Sequence, residues 1–124
     1  AQSQTPASVT QAGAPRALKG PFTVVSASVF RWRNETFQMS DIRAPRASTG
    51  SCAYERLRGR EARKALRRNL ARGDVVVTPT GRVSALGYKL VRVTARGRDV
   101  RRAMIDAGVV LPRRPGQPSN PWCL

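Results

Sequence analysis

The side chains able to do chemistry in this chain are mostly arginines. Lys and Arg number 23, Asp and Glu 7, and histidine is absent, for a formal charge of +16. Without histidine there is no Ser-His-Asp or Cys-His machinery, no imidazole metal ligand and no imidazole pH switch. Cys52 and Cys123 stand 71 positions apart and form no CxxC, so thiol redox or metal chemistry has no support. Either both thiols are free and buried or they form one disulfide, and a domain this small favours the disulfide. Closing so long a loop is worth roughly 4 kcal/mol in the chain-entropy model. No motif implies a cofactor.

The charge itself narrows the partners. So one-sided a surface on 13.6 kDa attracts polyanions, which leaves nucleic acid, anionic lipid head groups or an acidic protein face. No apolar run approaches the ~20 residues needed to cross a bilayer as a helix. Much of the charge falls in one stretch, where Arg56, Arg60, Arg63, Lys64, Arg67 and Arg68 form a basic helix face diluted by Glu55 and Glu61.

The elements that must carry these groups follow from periodicity. Residues 1–20 are rich in Ala, Gln, Ser, Thr and Pro, carry no acid, and read as a flexible segment. Their Ala-Gln start resembles the product of signal-peptide cleavage, which with the disulfide predicts an exported, periplasmic protein. A cytoplasmic location follows instead if that start is not natural. Asn34-Glu35-Thr36 fits a glycosylation sequon, a match too short to carry weight. Phe22 to Trp32 predicts two strands bent at Ser26-Ala27-Ser28, and Arg33-Asn34 a hairpin turn before a third strand over Thr36–Ile42. Tyr54 to Leu70 predicts a helix, with Tyr54, Leu57, Ala62, Ala65, Leu66 and Leu70 as its apolar stripe and Gly59 permitting close packing. Val75-Val76-Val77 and Tyr88–Thr94 are strands joined by residues 79–86, and Val100–Ala107 is a second helix after Asp99. Residues 113–124 form an irregular, Pro-rich tail with Trp122 near its end. This order suits a small twisted barrel flanked by helices, spanning residues 21–112.

Ile42-x-Ala44-Pro45, Cys52-Ala53-Tyr54-Glu55-Arg56 with Gly59 and Ala62, Tyr88 to Val93, Gly97-Arg98-Asp99-Val100 and Ala107-Gly108-x-x-x-Pro112 occur in an order that resembles staphylococcal-nuclease-like (thermonuclease family) domains. The resemblance runs from about Phe22 to Pro112. It implies an α+β fold built on a five-stranded OB-type barrel. Active members of that family are calcium-dependent phosphodiesterases. They use two Asp as metal ligands, a Glu that activates water and two Arg that hold the phosphate, because calcium takes hard oxygen ligands and the transition state gathers charge on phosphate oxygens.

Carried over residue by residue, none of these groups is present. The first metal Asp corresponds to Ser28, the Arg of the third strand to Gln38, the Asp of the "IDAPE" turn to Arg43, its Glu to Arg46, and the second Arg to Tyr88. Asp41, two residues before Arg43, is one carboxylate where three are required. Arg43 and Arg46 put cations where a metal and its base would be, and like charges that close repel by about 1–4 kcal/mol. The implied protein is a pseudo-nuclease: a basic structural or interaction module docking on an acidic protein surface, such as an accessory subunit of an envelope or membrane-protein complex. The alternative is non-catalytic nucleic-acid binding, for which Arg31, Arg33, Arg43, Arg46, the helix face and Arg101-Arg102 supply charge but only Trp32 and Tyr88 supply stacking platforms. An active calcium-dependent nuclease is a second alternative, and electrostatic contact with anionic lipid a further one.

Overall fold

The computed structural model describes residues 13–123. Among them the chain forms an α+β fold. A seven-stranded mixed sheet has β1 (Arg16–Leu18), β2 (Thr23–Val24), β3 (Val29–Trp32), β4 (Glu35–Met39), β6 (Val75–Val83), β7 (Lys89–Ala95) and β8 (Arg98–Asp99). β5 (Ile42–Arg43) and β9 (Leu111–Pro112) make a separate antiparallel pair. The helices are α1 (Ala53–Leu70) and α2 (Val100–Asp106).

The hydrogen-bonded path runs β1-β6-β7-β4-β3-β2, with β8 on β7. Only β4 and β7 are parallel, pairing Phe37 with Lys89 and Met39 with Val91. The path is open, and no closed barrel is seen among the described residues. Its two end strands, β1 and β2, are consecutive in the chain and joined by residues 19–22 alone. Five peptide steps span at most roughly 18 Å, so the sheet must curl until its ends approach. The concave side holds the core: Phe30, Phe37, Leu66, Val77, Val91 and Met104 are fully buried, and Phe37 packs on Phe30 at 5.5 Å between ring centroids.

Several sequence expectations are corrected. The strand β1 lies inside the stretch expected to be flexible; Leu18 is buried, and Arg16 to Leu18 pair with Val77 to Val75. A polar, Pro-flanked composition hides three residues whose order comes from a distant strand. Residues 1–12 lie outside the described residues. The third strand stops at Met39 because Asp41 takes a left-handed φ of 61°, which turns the chain before β5 pairs with β9. The strand expected over Val75–Val77 continues through Pro79, which still pairs with Val91, and after a register shift to Val83, which pairs with Lys89.

The helix α1 is rotated from its expected stripe. Its buried residues are Glu55, Gly59, Ala62, Ala65, Leu66 and Leu70, while Tyr54 and Leu57 are 56% and 45% exposed. Hydrophobic periodicity counts neither a glycine nor a glutamate as core, so the pattern leaned toward the nearest large side chains. Gly59 does permit close packing as expected. A Cβ there would lie 2.6 Å from the Arg46 carbonyl carbon and 2.7 Å from Ala47 Cα, both backbone atoms. Alanine normally stabilises a helix by about 1 kcal/mol over glycine. Gly59→Ala should instead destabilise by about 1–3 kcal/mol, since the helix and the loop must separate. A urea midpoint above that of the parent chain would contradict this packing.

Candidate functional site

Two cationic features stand out, one built by the loop before α1 and the chain's end, the other by α1 itself. Arg43 in β5 and Arg46, three residues on, line a hollow of about 510 Å³. Its far wall is the C-terminal tail, which adds Arg113, Arg114, Gln117, Asn120 and Trp122. The tail is fixed at its end by a disulfide between Cys52 and Cys123, with Cα atoms 6.0 Å apart. The bond joins the tail to the residue that caps α1.

Glu55 organises this region. It is 1% exposed and is the third residue of α1, so its carboxylate can reach back over the helix start. Oε2 accepts from the Arg46 backbone N–H and from Arg46 Nε, both at 3.1 Å. Oε1 accepts from the Ser51 N–H at 2.8 Å and from Asn120 Nδ2 at 3.2 Å. Burial alone would push its carboxyl up. The donors from Ser51, Arg46 and Asn120 outweigh burial and hold it at about 2, so it stays ionised.

The repulsion expected between Arg43 and Arg46 is thereby relieved, because each has its own acceptor. Arg43 donates through Nη1 and Nη2 to the carbonyls of Pro118 and Ser119, the latter at 2.7 Å. Arg46 is spent on Glu55. Arg43 and Arg46 therefore bind this chain's own tail and helix start.

Ser28 lies at the bend before β3 and lines a neighbouring hollow of about 230 Å³ with Pro45, Arg46 and Arg63. Ser28, Arg43 and Arg46 thus gather around one loop. Gln38 and Tyr88 do not join them. Gln38 alternates with the buried Phe37 and Met39 on β4, and Tyr88 lies at the β6–β7 turn, where its N–H donates to Ser84 Oγ at 3.1 Å. Neither lines these two hollows. Asp41 turns outward and stands 3.5 Å from Arg82. Among the described residues no group of three Asp, Glu, Cys or His could hold a metal ion.

The second feature is the outer side of α1. Arg60, Lys64, Arg67 and Arg68 are exposed there. Among the described residues, none of the four takes part in an ion pair. Tyr54 and Leu57 are exposed on the same helix. Arg56 and Arg63 are half-buried instead: Arg56 donates to the Gly50 carbonyl at 3.0 Å, and Arg63 turns to the Ser28 hollow. The expected six-residue face is therefore four exposed cations, with Arg56 bonded to the preceding loop and Arg63 half-buried beside the Ser28 hollow. Glu55, expected to dilute it, is buried and contributes nothing to its outer charge.

Trp32, a candidate stacking platform, is already engaged. Its Nε1 donates to the Lys19 carbonyl at 2.7 Å, and the Arg33 guanidinium lies 4.4 Å from its ring centroid. Arg16 approaches the same ring while paired with Glu35, which also binds Lys89. Those two ion pairs hold Glu35 at about 2 and tie β1, β4 and β7 together.

Sequence reasoning missed Glu55, Asn120 and the tail's position against Arg43. The spacing Cys52-x-x-Glu55 matches a capping box with cysteine in place of serine, and that was the available signal. Nothing local could have shown Asn120, 65 residues away, as its partner. The chain matches no protein-family model and no curated protein significantly.

Proposed function

We propose that this chain is a catalytically inactive, staphylococcal-nuclease-like module that docks through the outer side of α1 on an acidic protein surface. One observation carries the reading. Arg60, Lys64, Arg67 and Arg68 are exposed together with no ion-pair partner among the described residues. Such clustering is unfavourable in the free protein and becomes favourable against a surface of opposite sign. Tyr54 and Leu57 beside them offer the apolar contact that charges alone lack.

The loss of catalysis rests on the same resemblance. Arg43 and Arg46 stand where carboxylates are required, and both are committed to internal acceptors. In this reading the curled sheet is a five-stranded OB-type barrel whose first strand is divided into β1 and β2. The Cys52–Cys123 bond supports an exported, periplasmic location, and an accessory role in a membrane-protein complex fits that compartment. Nucleic-acid binding draws on the same cations, but one of its two expected stacking platforms is covered, since Arg33 lies over the Trp32 ring.

Two results are expected. Purified protein supplied with calcium should leave single- and double-stranded DNA and RNA intact; clear metal-dependent cleavage would overturn the pseudo-nuclease reading. The variant Arg60→Glu/Lys64→Glu/Arg67→Glu should associate with its acidic partner more slowly and with a weaker dependence on salt. These side chains are exposed, so circular dichroism and Tm should change little. An unaltered association rate would remove α1 as the docking face.

A further inference from the structure

An apolar hollow lies at the corner where β1 turns into β2, beside the C-terminal end of α1. Its volume is about 620 Å³. Leu18, Pro21, Phe22, Leu70 and Val76 are among its walls, and among the described residues the charged side chains lining it are Lys19, Arg67 and Asp74. Arg67 is also one of the four exposed cations on the outer side of α1. The hollow is therefore continuous with the basic face.

We propose that this hollow receives one large apolar side chain from an acidic segment of the partner, whose flanking carboxylates meet Arg67, Lys19 and the neighbouring cations of α1. This rests on the docking function proposed above and names the chemistry of what docks. A concave apolar wall with a few polar groups at its edge is the usual form of a binding pocket, and buried anchors in such pockets dominate interface energetics. The charge at the edge selects the anchor's neighbours: two cations against one carboxylate favour acidic flanks. The chain's own first residues fit poorly. Residues 1–12 contain no acid and one large aliphatic, Val9. Gly13, which follows them, bonds to Pro79, at a distance along β6 from the wall at Val76.

The test uses the full, disulfide-bonded chain and two fluorescein-labelled heptapeptides. One has tryptophan between two runs of three glutamates; the other has alanine at the centre. Fluorescence anisotropy should show the tryptophan peptide binding about tenfold more tightly, or better, the scale of one well-seated anchor. Ala71→Trp fills the hollow from an exposed position and should abolish that preference. Ala17→Glu, also exposed, puts a carboxylate into a different wall and should do the same. Arg60→Glu/Lys64→Glu should weaken both peptides alike and leave their ratio intact. Equal binding of the two peptides, or a ratio that survives both wall variants, would overturn the inference while leaving salt-dependent docking on α1 standing. Binding of dodecanoate in the hollow without a tryptophan preference would assign it to a lipid chain and also overturn the inference. If neither peptide binds, both the inference and the docking reading fail.

Discussion

Replacing Cys52 and Cys123 by serine should lower stability by roughly 4 kcal/mol and Tm by roughly 15 °C. The bond closes a loop of 71 residues, so it removes much of the freedom of the unfolded chain. The native side adds to the effect. Without the bond, the tail is held by Arg43 on two carbonyls, by Asn120 on Glu55 and by Gln117 on the Pro112 carbonyl. These are partly solvated contacts worth about 1 kcal/mol each, and ordering eleven residues opposes them. Release of the tail should open the Arg43–Arg46 hollow, so protease should cut within residues 113–123 before it cuts the sheet. A domain of this size has about 5–15 kcal/mol in total, so the loss is a large fraction. A loss below about 1 kcal/mol, with the tail still protected, would show that the side-chain contacts alone suffice.

Glu55→Ala should cost about 3–5 kcal/mol, the range for removing one partner of a buried charge pair. The substitution strands the Ser51 N–H just before α1 and the Arg46 N–H of the preceding loop, frees Arg46 beside Arg43, and cuts Asn120 loose. The pH dependence has a definite sign. Glu55 is held at about 2, below its ordinary 4.5, so its contribution is complete above about pH 4.5 and is lost as pH falls through 2. A lowering of that size corresponds to roughly 3 kcal/mol. Glu35 is lowered by its partners Arg16 and Lys89 and titrates in the same window. Urea unfolding between pH 6 and 2 should therefore steepen below pH 4.5, and Glu55→Gln should remove about half of the slope. Loss of the cysteines and loss of Glu55 both release Asn120, so their combined effect should be less than additive. A Glu55→Gln profile parallel to that of the parent would show that this carboxylate is not ionised where it is buried.

The sequence carried local order well and distant order poorly. Both helices were legible within a residue or two, because strong helix formers meet clear stops at Gly73 and Gly108. The bend at Ser26 to Ser28 and the turn at Arg33-Asn34 were legible for the same reason. The rotation of α1 was not, since the residues that define its buried side include a glycine pressed on the backbone of Ala47 and a glutamate satisfied by four donors. β1 was hidden because its order comes from pairing with β6, about 60 positions away. The disulfide was the favoured of two readings from composition and size, and the structure carries it. The site was half legible. Arg43 and Arg46 were readable as a close pair of cations, but the tail that uses Arg43 is a long-range feature with no pattern of its own. The difference between free and committed cations on α1 depended on the same hidden rotation.

The most direct measurement is retention of the tagged native protein on its partner from its own cell envelope, under challenge by excess nuclease and by excess random oligonucleotide. A docking module should stay bound through both treatments, come off as salt rises, and fail to hold the same partner when Arg60, Lys64 and Arg67 are changed to glutamate. Release whenever nucleic acid is digested or competed, with log affinity falling linearly and steeply in log salt, would contradict the protein-docking reading and leave a nucleic-acid binder in its place.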